Sequence, residues 1–117
     1  MSSSDKELLT LAAKAAGITF FKYVENVTDY DSDHYGGPAI QISHSAETWN
    51  PLTDDGDALR LAVKLGMRLN LPTQTYAYVG ANDQLEYCKN EDYYAATRRA
   101  IVRAAAQIGR TYDRQSA

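Results

Sequence analysis

The spacing of apolar residues along the chain changes between a helical repeat and the alternation of a strand. Four apolar residues near the start recur at the three- and four-residue spacing of one helix face: Leu8, Leu11, Ala12 and Ala15. Ser4 and Glu7 precede this face at the spacing of a capping box, and Gly17 follows it as a residue that commonly ends a helix. The pattern predicts a first helix over residues 5–16.

The next two apolar segments alternate as strands do. Residues 18–24 are rich in β-branched and aromatic side chains and too short for a stable helix, which predicts a strand. Ile40 and Ile42 alternate with polar residues and predict a second strand over 38–43, with both isoleucines facing the core. The polar residues 25–37 between the strands predict the long loop of a hairpin.

A second helix is predicted after Thr53, which is a residue type suited to the N-cap. Asp54, Asp55 and Asp57 then supply the charge that the helix dipole favours in a first turn. Gly66 is predicted to end this helix. The predicted packing face consists of Leu59, Ala62, Val63 and Leu65.

The pattern of residues 67–79 indicates an extended segment. Pro72 cannot donate to a ladder of hydrogen bonds, so it predicts an edge position or a bend there. Tyr76 and Tyr78 are expected on one face of this segment, and residues 84–89 alternate again and complete a second hairpin.

The last helix is predicted over residues 92–108, with Gly109 as its stop and residues 110–117 as a frayed tail. One apolar side is expected to contain Tyr94, Ile101, Ala105 and Ile108. Three arginines, Arg98, Arg99 and Arg103, form a short basic stripe on the same helix.

These elements follow the order α-β-β-α-β-β-α and predict an α+β fold. Hairpin connections favour a mainly antiparallel four-stranded sheet, with helices packed on both faces because each apolar helix face needs a partner layer. The 117 residues, with 44% hydrophobic and 23% charged side chains, suit one folded domain over residues 1–117 with an ordered core of about 4–109.

Charge and cysteine content narrow the function classes. A net charge of −3 argues against coating nucleic acid or an anionic membrane through bulk electrostatics. No segment approaches the ~20 apolar residues that a membrane helix needs. Cys88 is the single cysteine, so no internal disulfide can form, and a reducing cytoplasm is the expected location.

Acidic residues and histidines offer weak metal patterns. Asp29, Asp31 and Asp33 are spaced like the first ligands of a calcium loop, but His34 and Ile40 occupy the positions of its glycine and glutamate. A solvated acidic loop is therefore the preferred interpretation of this segment.

The two histidines, His34 and His44, are too few for a transition-metal site by themselves, although a carboxylate from residues 29–33 could add a ligand. Three further aspartates could serve as metal ligands or acid/base groups: Asp54, Asp55 and Asp57. Capping and dipole interactions explain these aspartates more simply, so no cofactor is predicted.

Nine residues from different parts of the chain form a candidate interaction surface. Its members are Trp49, Asn50, Asp54, Asp55, Tyr76, Tyr78, Arg98, Arg99 and Arg103. Protein binding is the leading hypothesis, with a homo-oligomer as one form of it, because tyrosine and arginine suit protein contacts and no catalytic motif is present. The alternatives are nucleic-acid binding through the arginine stripe and a metal-dependent or enzymatic activity at the aspartates.

Residues 49–66 and 94–105 resemble segments of small bacteriophage and prophage proteins, in particular the phage α-β-α sandwich domain. The resemblance covers the opening helix and residues 49–109, whereas residues 20–48 are individual to this chain. It implies an accessory protein in the cytoplasm of a bacterial host that binds a host or phage protein. The family has no assigned activity, so the resemblance implies no site residue.

Overall fold

A computed structural model describes residues 4–43, 47–70, 75–79, 84–88 and 93–116 of the chain. Three helices and six strands lie in this part, in the order α1 (Asp5–Ala15), β1 (Phe21–Val24), β2 (Ala39–Ile42), β3 (Thr48–Trp49), α2 (Asp55–Leu65), β4 (Arg68–Asn70), β5 (Thr75–Val79), β6 (Gln84–Cys88) and α3 (Tyr93–Ser116). The α+β class is confirmed. The order differs from the prediction only by β3 and β4.

The described strands form two antiparallel sheets of three strands each, so the prediction of one four-stranded sheet is wrong. The strand orders are β1-β2-β3 and β4-β5-β6. In the first sheet Trp49 lies opposite Ile40, and in the second Arg68 lies opposite Tyr78. Strands of two or three residues have too few positions to show a period of their own, and only pairing with a longer neighbour defines them.

The position of the helices also differs from the predicted arrangement around a single sheet. α1 packs between the first sheet and α3, while α3 packs against α1, α2 and the second sheet. α1 is consequently buried on two sides. Its predicted face contacts α2 and α3, and Leu9 and Ala13 form a second face packed on Ile40.

The helix ends show which side chains satisfy the free backbone amides. Ser4 caps α1 as predicted, because its hydroxyl accepts a hydrogen bond from the Glu7 amide at 3.1 Å. The predicted cap of α2 is wrong by one residue. Asp54, not Thr53, is the N-cap, since its carboxylate accepts from the Asp57 amide at 3.0 Å. Gly66 ends α2 at a φ of +67°, as predicted.

The buried face of α2 is rotated from the predicted one. Leu59 and Val63 are 60% and 72% exposed, while Ala58, Leu61 and Ala62 are buried. The side of α2 that packs in the core consists of Ala58, Leu61 and Ala62, so Leu59 and Val63 lie on its outer side. The predicted inward position of Tyr94 in α3 is likewise wrong, because that ring is exposed.

α3 continues eight residues beyond its predicted end at 108, to Ser116. Gly109 does not stop the helix. A Cβ at this position would overlap the carbonyl group of Leu11, so the glycine serves the close approach of α1 and α3. None of the helices in the described ranges has the length and apolar composition needed to span a membrane.

Candidate metal centre

His34 lies in the connection between β1 and β2, which we call the 25–38 loop. The base of this loop is closed by two backbone hydrogen bonds, from the Val27 amide to the Gly37 carbonyl and from the Gly36 amide to the Val27 carbonyl, each 2.9 Å long. Gly36 has a φ of +84°, which favours glycine and turns the chain back toward β2. The turn directs the imidazole of His34 inward.

The other half of the centre is the first turn of α2. Asp54 and Asp57 are three residues apart, a spacing that places both side chains on one side of the helix start. The Oδ1 atom of Asp54 is used by the cap, which leaves Oδ2 directed toward His34. Local helix capping therefore positions both carboxylates.

The three side chains meet around one point. The Nε2 atom of His34 lies 3.2 Å from Oδ2 of Asp57 and 3.6 Å from Oδ2 of Asp54. One ligand atom from each residue lies within 4.8 Å of the others. The side chains of His34 and Asp57 are 7% and 8% exposed and that of Asp54 is 30% exposed, so Asp54 forms the solvent side of the cluster.

The His34 Nε2 atom is buried and has no hydrogen-bond partner among the described residues. Both nearby oxygens are close, but neither lies where an N–H group at Nε2 would form a hydrogen bond. A lone pair at Nε2 would face two carboxylates and be repelled by them. A cation at this point would contact the nitrogen and both oxygens together.

Further hydrogen bonds fix the three side chains from outside. The Nδ1 atom of His34 lies 2.8 Å from the Thr48 hydroxyl, which lies 2.6 Å from the Ser32 hydroxyl. If Nδ1 donates to Thr48, the lone pair of the imidazole is at Nε2, which is the tautomer that binds a metal there.

Asp57 is held by two donors. The Asn50 amide donates to its Oδ2 at 2.9 Å, and the Arg60 guanidinium donates to its Oδ1 at 2.7 Å. The hydrogen bond between Arg60 and Asp57 is the main reason that the pKa of Arg60 is raised. Asn50, 1% exposed, also joins the two halves of the centre, since its side chain donates to the Pro38 carbonyl and accepts from the Leu52 amide.

The structure brings together residues that the sequence analysis considered separately. His34 meets Asp54 and Asp57, not the predicted partners among the carboxylates of residues 29–33. The Asp29 carboxylate accepts a hydrogen bond from the backbone amide of Asp31, and Asp33 is exposed. His44 lies outside the described residues. No sequence signal links the loop to α2, because the two meet through packing of elements that are separate in the sequence.

Asp55, the third aspartate of the predicted cluster, points elsewhere and pairs with Arg98 at 2.7 Å. Arg98 also donates to the Leu52 carbonyl at 2.8 Å, and Arg99 pairs with Asp5 at 3.1 Å. Arg103 is half-buried in α3. Two members of the predicted basic stripe are therefore used in contacts within the protein.

Two of the remaining members of the predicted interaction surface lie partly or wholly in the core. Trp49 is half-buried and packs on the core at β2, and Asn50 is fully buried. Tyr76 and Tyr78 lie on β5 at alternate positions, while their side chains lie outside the described part of the structure.

Comparison with protein families, curated proteins and solved structures finds no significant match to this chain.

Proposed function

We propose that this protein binds one divalent transition-metal ion between His34, Asp54 and Asp57. The observation that carries the proposal is the buried His34 Nε2 atom, which lacks a hydrogen-bond partner among the described residues and faces two carboxylates. An unsatisfied buried polar group costs about 1–3 kcal/mol, so a ligand that satisfies this nitrogen is favoured.

The distances fit an ion of the size of zinc. Tetrahedral Zn²⁺ with bonds of about 2.0–2.2 Å places its ligand atoms about 3.3–3.6 Å apart. Of the two separations from Nε2 to the carboxylate oxygens, 3.6 Å lies in this range and 3.2 Å lies just below it. In a tetrahedral centre the lone pairs of the ligand atoms point at the ion and not at each other. This agrees with the poor hydrogen-bond geometry between Nε2 and the two oxygens.

The chemical types of the ligand atoms further restrict the identity of the ion. Imidazole nitrogen suits zinc and its neighbours in the first transition row, whereas calcium and magnesium prefer oxygen ligands. Two ionised carboxylates contribute about −2, which exceeds the roughly +0.5 of the helix N-terminus together with the single positive charge of Arg60 on Asp57. Three protein ligands leave a coordination position for water on the Asp54 side, as in metal centres that polarise a bound water.

The test is calorimetric titration of the tag-free, EDTA-treated protein with Zn²⁺. We expect one bound ion per chain. In His34→Asn the new side chain can still hydrogen-bond Thr48 but has no atom at the position of Nε2. Zn²⁺ binding should weaken at least about 100-fold, which exceeds the usual loss when a residue that only hydrogen-bonds a metal ligand is replaced. Asp54→Asn should also weaken binding while keeping the helix cap, since Asn and Asp cap equally well.

Asp55→Asn is the matched control, because Asp55 lies in the same helical turn but pairs with Arg98. This variant should bind Zn²⁺ within about threefold of the unmodified protein, as expected of a substitution outside the ligand set. Mg²⁺ and Ca²⁺ at the same concentrations should give no binding heat. Two results would refute the proposal: no Zn²⁺ binding by the unmodified protein, or equal Zn²⁺ affinity in His34→Asn and the unmodified protein. In either case the contact of His34 with the aspartates would be explained by a proton.

A second function is supported by the groove between α2, β4 and α3. This groove has a volume of about 420 Å³ and is lined mainly by apolar side chains, including Leu59, Leu69, Tyr94 and Ile101. Leu59 and Tyr94 are 60% and 72% exposed. Large exposed apolar residues beside a groove are typical of contact surfaces. We infer that the groove serves the accessory role implied by the phage resemblance, in which the chain binds a host or phage protein in the bacterial cytoplasm.

Capture from nuclease-treated bacterial lysate tests this second function. A stoichiometric protein partner should be retained by the unmodified chain and lost with Leu59→Glu, which places a charge in the groove. Lys22→Glu, at an exposed position of β1, should retain it. Retention by both variants would refute a role for the groove, and sedimentation of the purified chain distinguishes a second copy from another partner.

Nucleic-acid binding through Arg98, Arg99 and Arg103 stays a third hypothesis. The ion pairs of Arg98 and Arg99 with Asp55 and Asp5 reduce the positive charge that this stripe offers to phosphates.

A further inference from the structure

We propose that ion binding latches the 25–38 loop onto α2, so that the position of this loop depends on the metal. The inference rests on the proposed function and adds a regulatory consequence to it. One ligand, His34, belongs to the loop, and the other two, Asp54 and Asp57, belong to the helix. The ion is therefore a cross-link between two elements that are distant in sequence.

The loop has few other attachments to the remainder of the protein. Its base is fixed by Val27, which is buried, and by the hydrogen bond from Asn50 to the Pro38 carbonyl. Its tip consists mainly of exposed residues with short-range hydrogen bonds, such as that from the Ser32 amide to the Asp29 carbonyl. These local contacts shape the tip but do not hold it on α2.

Within the described residues, side-chain hydrogen bonds and ion pairs from the tip to other elements involve Ser32 and His34. Both contact the Thr48 hydroxyl, and His34 alone reaches the carboxylates of α2. Without a cation, Nε2 contributes little to docking because it lacks a hydrogen bond within the described structure. With a cation, the same atom becomes a ligand, and the tip cannot leave α2 without breaking a metal bond.

The latch also determines where two aromatic rings are presented. Tyr30 and Tyr35 flank His34 in the tip, and their ring centroids lie 4.6 Å apart. Tyr30 is 82% exposed and Tyr35 is 50% exposed. Because both rings belong to the segment that carries the ligand, the bound ion fixes their position relative to α2.

Residue-resolved hydrogen exchange of the full chain, with and without Zn²⁺, tests the latch. The reporters are the amides of Tyr35 and Gly36, which donate to the carbonyls of Ser32 and Val27. An opening that must release the ion is slowed by a factor of 1 + [Zn²⁺]/Kd. At a free concentration of one hundred times Kd, exchange at these amides should be about 100-fold slower. His34→Asn should abolish the slowing.

The amides of α1 in residues 8–15 are the internal reference, since their local openings do not release the ion. We expect them to change much less than the loop. Equal slowing in α1 and the loop would mean that the ion stabilises the whole fold, and unchanged loop exchange with intact Zn²⁺ binding would mean that the loop docks without it. Either result overturns the latch but leaves the metal centre, whereas absence of Zn²⁺ binding removes both.

Discussion

Gly109 of α3 lies against the backbone of Leu11 in α1, at a separation that leaves no room for a side chain. A Cβ at position 109 would come within 3.0 Å of the Leu11 Cα and overlap its carbonyl group. Because the obstacle is backbone, it cannot move aside by a rotamer change. The two helices can approach this closely only with glycine at this position.

Gly109→Ala should therefore destabilise the protein despite the better helix propensity of alanine. Overpacking costs about 1–3 kcal/mol or more, and the gain in propensity of about 1 kcal/mol offsets only part of it. Urea denaturation measures the difference. Gly56→Ala is the control, since the three atoms nearest to a Cβ there belong to the movable side chains of Arg60 and Asp54, each 3.2 Å away. If Gly109→Ala lowered the free energy of unfolding no more than Gly56→Ala does, the close contact between α1 and α3 would be contradicted.

Asn50→Ala should lower the free energy of unfolding by about 1–3 kcal/mol, because it breaks two part-buried hydrogen bonds of this buried side chain. The substitution removes the partners of the Pro38 carbonyl and the Leu52 amide. Denaturation in EDTA separates this effect from metal binding. Asn26→Ala, at an exposed position, should change stability by less than about 0.5 kcal/mol. Similar losses at both positions would argue against the structural role of Asn50.

The two paired arginines of α3 should contribute unequally to stability. Arg98→Met leaves the Leu52 carbonyl without its donor and should cost about 1–3 kcal/mol. Arg99→Met breaks a surface ion pair with Asp5 and, among the described residues, leaves no backbone carbonyl without its donor, so it should cost about 0–1 kcal/mol. The two methionine variants are measured side by side by thermal and urea unfolding. A larger loss at Arg99 would show that the contact to Leu52 is unimportant.

The pKa of Tyr35 is raised above its usual 10.0, first by a side-chain hydrogen bond with Tyr30 and second by partial exclusion of water. The folded protein thus favours the neutral phenol. Its stabilising contribution is complete below the unfolded pKa of about 10 and is lost as the pH rises through the higher folded value. NMR titration of the Tyr35 ring carbon should show a lower pKa in Tyr30→Phe. Tyr23→Phe should leave it unchanged, and an unaltered value in Tyr30→Phe would contradict the pairing.

The helices of this protein were largely predictable because their signals are local. Ser4 caps α1 within its own first turn, and Gly66 ends α2 by its own backbone conformation. The antiparallel pairing of β1 with β2 and of β5 with β6 follows similarly from neighbouring segments. Sequence periodicity failed where burial depended on the neighbour, as at Leu59 and Val63, which a helical pattern alone assigns to the core.

The candidate metal centre could be predicted only in part. The sequence by itself determined that Asp54 and Asp57 would lie together at a helix start, since capping and helical spacing are properties of a few consecutive residues. Only the tertiary structure decided that His34 joins them, because His34 lies in the 25–38 loop and reaches α2 through packing of elements that are separate in the sequence. Such long-range contacts depend on packing of the whole chain, and the identity of a single histidine carries no information about them.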